Sequence, residues 1–369
     1  ENKVNPDKIT WIVSRDGWLL NRKNTQPSLQ FFENTFGVLA SQNEAIIKAK
    51  SKEDLFYGLE KAGLFVRIDE TIRPQMFHGA TVSELELEQL RRLKNVVRLG
   101  RVQSLENEQI ILNKGTIPTS KNHIHVDCSA SAISNLELRP IYDGNMIRPQ
   151  TVRSYQPIFS ASIIAYVEAN YEDDKTKNKL CQVVPLPNHD TDWIRMIAQQ
   201  MINQFNWSQD KKLNAWLRQN RLNGFGTIVS EIDKDDHIKW DILKKIRTTA
   251  MPAMMRLQQF ITELDSEEQT KIENPQLQVR RDTFFKNRLV ETPKSEFEIS
   301  EGEILVRIEK FAYTSNNITY AAAGDMIGYW KFFPAAGQYS EGWGVIPVWG
   351  FSEVIESNSE GIPVGDRFF

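Results

Sequence analysis

Long apolar runs are missing from this chain. No stretch approaches the roughly 20 residues that a helical membrane span requires, so no membrane partner is expected. Cysteine is scarce: only Cys128 and Cys181 occur in 369 residues. Two distant thiols build neither a disulfide framework nor a CxxC redox pair, and they suit a reducing, cytoplasmic setting. An excess of either charge is missing as well. The net charge of −3 gives no general electrostatic affinity for nucleic acid or an anionic surface. Repeats, low-complexity tracts and a signal-peptide pattern are all lacking. No glycine-rich phosphate loop is present. The tight cluster Asn223-Gly224-Phe225-Gly226 follows a helical pattern, whereas a phosphate loop follows a strand. The start at Glu1 and the apolar close at Phe368-Phe369 give the expectation of a segment cut from a longer protein.

What is present is ordinary globular material, 40% hydrophobic and 25% charged, enough for two cores. "ITWIV", residues 9–13, reads as a short strand ending at Ser14, Arg15 and Asp16. Residues 27–50 and 51–63 carry apolar side chains at helical spacing, with Gly63 as a stop, and "LFVRI", residues 64–68, reads as a strand. Ser83 and Glu86 form a capping box opening a helix. Residues 96–128 are strand-rich, with a turn at Asn113-Lys114-Gly115. Residues 191–264 read as helical. Leu243, Ile246, Ala250, Ala253, Leu257, Phe260 and Leu264 recur in steps of three and four. A coiled-coil homo-oligomer is one reading of this pattern. A long helix packed in its own domain is the other, favoured by Pro252 within it. Polar residues 265–278 read as a linker.

The stretch "VVRLGRVQSLENEQIILNKGTIPTSKNHIHVDCSA" resembles the β-meander and closing strand of flavoproteins with two dinucleotide-binding domains. The resemblance implies FAD, with Asp127, Cys128, Ser129 and Ala130 where that superfamily brings backbone close to the flavin. "ITWIVSRDGWLLNR" resembles the second strand of the NAD(P)-binding domain in FAD-dependent oxidoreductases distantly similar to flavin-containing monooxygenases. It implies that Ser14 and Arg15 end beside the adenine ribose, with Arg22 assisting. Arginine suits the 2′-phosphate of NADP, but Asp16 is also present and leaves the coenzyme open. Both pyrophosphate cradles are expected to lie outside these residues. His123, His125 and Asp127 alternate, as metal ligands on one strand face would, but no fourth ligand is evident and no metal is assigned.

"EGEILVRIEKFAYTSNNITYAAAGD" with "WGVIPVWGFSEVIESNSEGIPVGDRFF" is similar to the GroES-like domain that opens zinc-free medium-chain reductases, close to quinone oxidoreductases. Zinc members carry a Cys-His pair where this chain reads Tyr-Thr-Ser-Asn-Asn. The resemblance implies Asn316 and Asn317 near nicotinamide and substrate, and Tyr320 as a proton donor or substrate contact. Amides binding their own loop backbone are the alternative.

The expected architecture is α/β: partial Rossmann-like flavoprotein domains over 1–190, a helical region over 191–264, a linker over 265–278, and a truncated GroES-like β-domain over 279–369. An exposed apolar patch of Trp349, Phe351, Phe368 and Phe369 is expected with it. The function implied is an FAD- and NAD(P)-dependent oxidoreductase acting on a small-molecule substrate, fused to the start of the reductase. Two other readings stay open. One places quinone or enone reductase activity in the C-terminal part alone. The other is a non-catalytic nucleotide-binding or scaffolding protein whose helices mediate assembly.

Overall fold

The computed structural model describes residues 4–130, 137–271, 274–284, 286–292, 297–337 and 340–369. The chain divides into two compact units, Glu1–Thr262 and Glu263–Phe369. It is mixed α/β, with helices and several small sheets.

The first unit opens with β1 (Trp11–Ile12) and β2 (Gly17–Asn21), then α1 (Phe32–Lys48), α2 (Lys52–Lys61), β3 (Phe65–Val66) and β4 (Met76–Val82). The apolar spacing of α1 buries Phe32, Phe36 and Ile46 on one side. Ser51 caps α2 by accepting from the Asp54 N–H. Gly63 ends this stretch with φ +84°, a conformation that costs glycine little. α3 (Glu84–Arg91) begins with the capping box, in which Ser83 and Glu86 satisfy each other's backbone N–H. β5 (Val96–Val97) follows. β6 (Val102–Leu105), β7 (Gln109–Leu112) and β8 (Gly115–Pro118) form the antiparallel meander that the turn residues announced.

β1 pairs parallel with β5, and β2 pairs parallel with β4. β3 lies antiparallel on the other edge of β2, beside this parallel pair. The closing strand is not formed. Residues 121–130 are exposed and irregular, and no described strand runs beside them to take up their hydrogen bonds. Trp18, Phe56, Phe65, Phe77 and Trp193 are almost fully buried. Their rings interlock, with Trp18 stacked 5.7 Å from Phe65 and Phe65 5.3 Å from Phe77.

The rest of the first unit is a short hairpin, β9 (Tyr142–Asp143) and β10 (Met146–Ile147), and then helices: α4 (Pro157–Asn170), α5 (Asp174–Leu180), α6 (Asp192–Gln209), α7 (Lys211–Gln219), α8 (Gly224–Ser230) and the first part of α9 (His237–Lys271). Helix therefore begins at Pro157, well before Thr191. Helices α4 to α7 share a core of Phe159, Ile163, Leu180, Trp207 and Leu213. The start of the heptad-like stripe of α9 packs within this unit, where Leu243 and Ile246, with Ile242, meet Phe32 and Phe36 of α1. Asn43 reaches the Ile246 carbonyl, and Arg256 donates to the Ala49 carbonyl.

The division into units falls inside α9, close to the polar stretch 265–278. That stretch is helix to Lys271 and strand from Pro275. The second unit holds two antiparallel sheets. β11 (Pro275–Arg280) sits between β12 (Asn287–Glu291) and the later β14 (Trp343–Gly344). Between them come β13 (Ile304–Ala312), α10 (Asn316–Ala322) and α11 (Tyr329–Phe332). β15 (Trp349–Ser357) pairs with β13 and with β16 (Arg367–Phe368). Gly350 is obligatory there, since a Cβ would stand 2.0 Å from the Lys310 carbonyl oxygen. Both sheets are antiparallel, and α10 carries Asn316 and Asn317. Trp349, Phe351, Phe368 and Phe369 are all exposed.

Candidate functional site

The C-terminal end of β1 carries the strongest cluster of sequence-predicted groups. Ser14 is exposed and Arg15 half-buried, directly after a strand paired parallel to β5. Arg15 Nη2 donates to Asn188 Oδ1 at 2.6 Å, and His78 Nε2 lies 3.1 Å from the same oxygen. Asn188 is itself held through its backbone N–H, which donates to Asp192. Arg98, one residue beyond β5, takes Asp16 in a fork, Nε at 2.9 Å and Nη2 at 3.1 Å, and Nη2 also meets Asp69 at 3.1 Å. The hydrogen bonds that Arg98 donates to Asp16 come first among the influences that raise its guanidinium. Asp16 is thus committed to a protein partner, while the ligand of Arg15 is a neutral amide.

Arg98, Asn188 and His78 escaped the sequence reading. They lie 82, 173 and 110 positions from their partners. Only the arginine following the two valines of β5 offered a local hint.

Arg22 does not join this cluster. It follows β2 and pairs with Glu86 at 3.2 Å, and Arg22, Lys23, Gln26, Ser83, Glu84 and Leu85 line an open cleft of about 220 Å³. The cleft lies where the parallel strands β2 and β4 end. Its helix N-terminus is already satisfied by the capping box, and Glu84 and Glu86 offset the local positive charge.

The stretch expected to approach a flavin is exposed. The Ser129 side chain first, and then its backbone N–H, which donates to Asp127 at 2.8 Å, lower the Asp127 carboxyl, and Cys128 and Ala130 also face solvent. His123 and His125 do not share a strand face; both contact Thr119 Oγ1, at 3.2 and 2.8 Å. Among the described residues, no group of three or more His, Cys, Asp or Glu is placed to hold a metal ion.

In the second unit, Asn317 is fully buried. Its Oδ1 accepts from the Thr314 N–H at 2.6 Å, and its Nδ2 donates to the Pro347 carbonyl at 2.9 Å. The amide therefore binds loop backbone, which ties the start of α10 to the segment between β14 and β15. Asn316 is exposed. Tyr320 is half-buried and packs edge-on against Tyr329 at 5.0 Å and Trp349 at 5.8 Å.

Comparison with known proteins yields uncharacterised relatives. Residues 311–369 match a family described as "protein of unknown function (DUF2855)". An uncharacterized protein of Mycobacterium bovis and two of Mycobacterium tuberculosis are each 43% identical over 225 residues, 60% of this chain and 41% of the relative. The chain therefore spans about two-fifths of the length of these curated relatives. No solved structure matches.

Proposed function

We propose that this chain belongs to an FAD- and NADPH-dependent oxidoreductase acting on a small molecule, and that Arg15 reads the coenzyme's 2′-phosphate. The observation that carries the reading is the split between Arg15 and Asp16. A ligand in an open α/β sheet lies outside the carboxyl ends of parallel strands, and β1 and β5 end there. An acidic residue at that place accepts from the ribose 2′-hydroxyl of NADH. Asp16 is held by Arg98, so this role is closed to it. Arg15 needs only to exchange one neutral acceptor, Asn188, for a phosphate. The parallel pairs fit a Rossmann-like half.

The antiparallel sheets of the second unit fit the GroES-like start of a zinc-free medium-chain reductase. With the Asn317 amide bound to backbone, Asn316 and Tyr320 are the groups left there to orient or protonate an enone-like acceptor.

Binding of 2′,5′-ADP and of 5′-ADP, measured by calorimetry on this chain, tests Arg15 without requiring a pyrophosphate cradle. The wild type should prefer 2′,5′-ADP. Arg15→Ala should remove that preference, a loss of roughly 1.5–3 kcal/mol for a charged hydrogen bond. Equal weakening of both ligands would mean that Arg15 does not read the 2′-phosphate.

A further inference from the structure

The turn leading into α4 holds a charge that no described carboxylate balances. Arg153 is 7% exposed. Its Nη1 donates to two neutral amides, Asn223 at 2.9 Å and Gln156 at 3.4 Å. Its Nε is buried with no hydrogen-bond partner among the described residues. The guanidinium lies 3.8 Å from the Phe159 ring centre and 5.1 Å from that of Trp207. Burial alone pulls it down to about 10, so it stays cationic at neutral pH. A buried ion without a counter-charge is strongly unfavourable, and ring faces repay only part of that cost.

The guanidinium is directed at the start of a helix. Gln156 is the N-cap of α4, Pro157 its first residue and Phe159 lies in its first turn; no side chain caps this end. The exposed N–H groups of a first turn carry partial positive charge. A buried cation is therefore set against the positive end of a 14-residue helix, which is the reverse of what a purely structural arginine favours. The turn is also held in place. Tyr155 has φ +56°, and its ring lies so close to Gly79 that a Cβ there would stand 2.2 Å from Cζ. Asn203, fully buried, donates to the Val152 and Gln182 carbonyls.

We propose that the Arg153 turn and the first turn of α4 form a binding site for an oxyanion of the phosphate or carboxylate class. The guanidinium fork and the helix N–H groups are complementary to such a group, and its charge supplies the missing balance. The group could be the phosphate of a dinucleotide or a free acid. The site does not depend on Arg15 or on the coenzyme reading.

The test is thermal unfolding of the whole chain, followed by helical circular dichroism. Inorganic phosphate, acetate and FAD are each titrated against sodium chloride at equal ionic strength. Phosphate should raise the midpoint saturably in the wild type, and Arg153→Lys should need at least tenfold more. Arg153→Met should show no anion-dependent shift. Asn223→Asp places a carboxylate beside Nη1 and gives up the Nδ2 bond to the Leu217 carbonyl. It should still fold and should lose the shift, so it carries the test if Arg153→Met does not fold. No saturable shift with any of the three anions would overturn the proposal, as would an equal shift in Asn223→Asp. FAD acting at least tenfold below phosphate identifies a dinucleotide as the source. A response to phosphate and acetate with none to FAD identifies a free acid; it counts against the flavin reading and leaves the oxyanion site standing.

Discussion

Removing Arg98 tests the packing of the site and its coenzyme logic together. Arg98 joins Asp16 and Asp69 through three contacts between 2.9 and 3.1 Å. The three side chains are 30%, 17% and 33% exposed, so the cluster is neither free surface nor core. An exposed ion pair contributes about 0–1 kcal/mol, and removing one partner of a buried pair costs about 3–5 kcal/mol. Arg98→Ala leaves two carboxylates unpaired at an intermediate depth. The expected loss is about 2 kcal/mol, a factor of roughly 30 in the folding equilibrium. Thr71 hydrogen bonds first, and Arg98 after them, hold the Asp69 carboxyl below its ordinary 3.8. A lowered carboxyl stabilises above the unfolded value, and that contribution is lost as pH falls through the folded value. The gap between wild type and variant should therefore narrow as pH falls below 3.8. Urea unfolding read by helical circular dichroism suits the measurement, because nearly all the helix lies in residues 32–271. The midpoint should drop with an unchanged slope. Freed Asp16 should also compete for Arg15 and weaken 2′,5′-ADP relative to 5′-ADP. A stability loss under about 0.5 kcal/mol, the scale of an ordinary surface substitution, with an unaltered ligand preference, would refute the reasoning.

Other outcomes follow from single positions. Asn317→Ala strips the buried amide from Thr314 and Pro347 and should destabilise the second unit by about 2–3 kcal/mol, seen as faster hydrogen exchange across residues 304–357. Gly350→Ala should prevent β13 and β15 from pairing, and retained protection of Ile308 and Val354 amides would contradict this. Cys181 is 1% exposed and its thiol is pushed up to about 12 by burial, while Cys128 is exposed. Iodoacetamide at pH 8 should label Cys128 alone in the native chain and both thiols in urea, as counted by mass spectrometry.

Features whose interacting groups lie within a few residues were legible in the sequence. The Ser83–Glu86 box, the Gly63 stop and the meander around Asn113-Lys114-Gly115 all formed, because caps and turns act over about four residues. The amide of Asn317 followed the same rule and bound its own loop. Partnership was not legible. Whether 64–68 pairs parallel or antiparallel, whether 121–130 finds a strand beside it, and whether the stripe of α9 meets α1 or a second copy depend on surfaces that exist only once the chain has packed. The site divides in the same way. That Arg15 stands at a strand end was determined locally. That Asp16 is occupied by Arg98, that Asn188 holds Arg15, and that Arg153 lies buried beside Asn223 without a counter-charge were decided by tertiary structure, because those partners are 70 to 173 residues apart and only packing sets the distance between them.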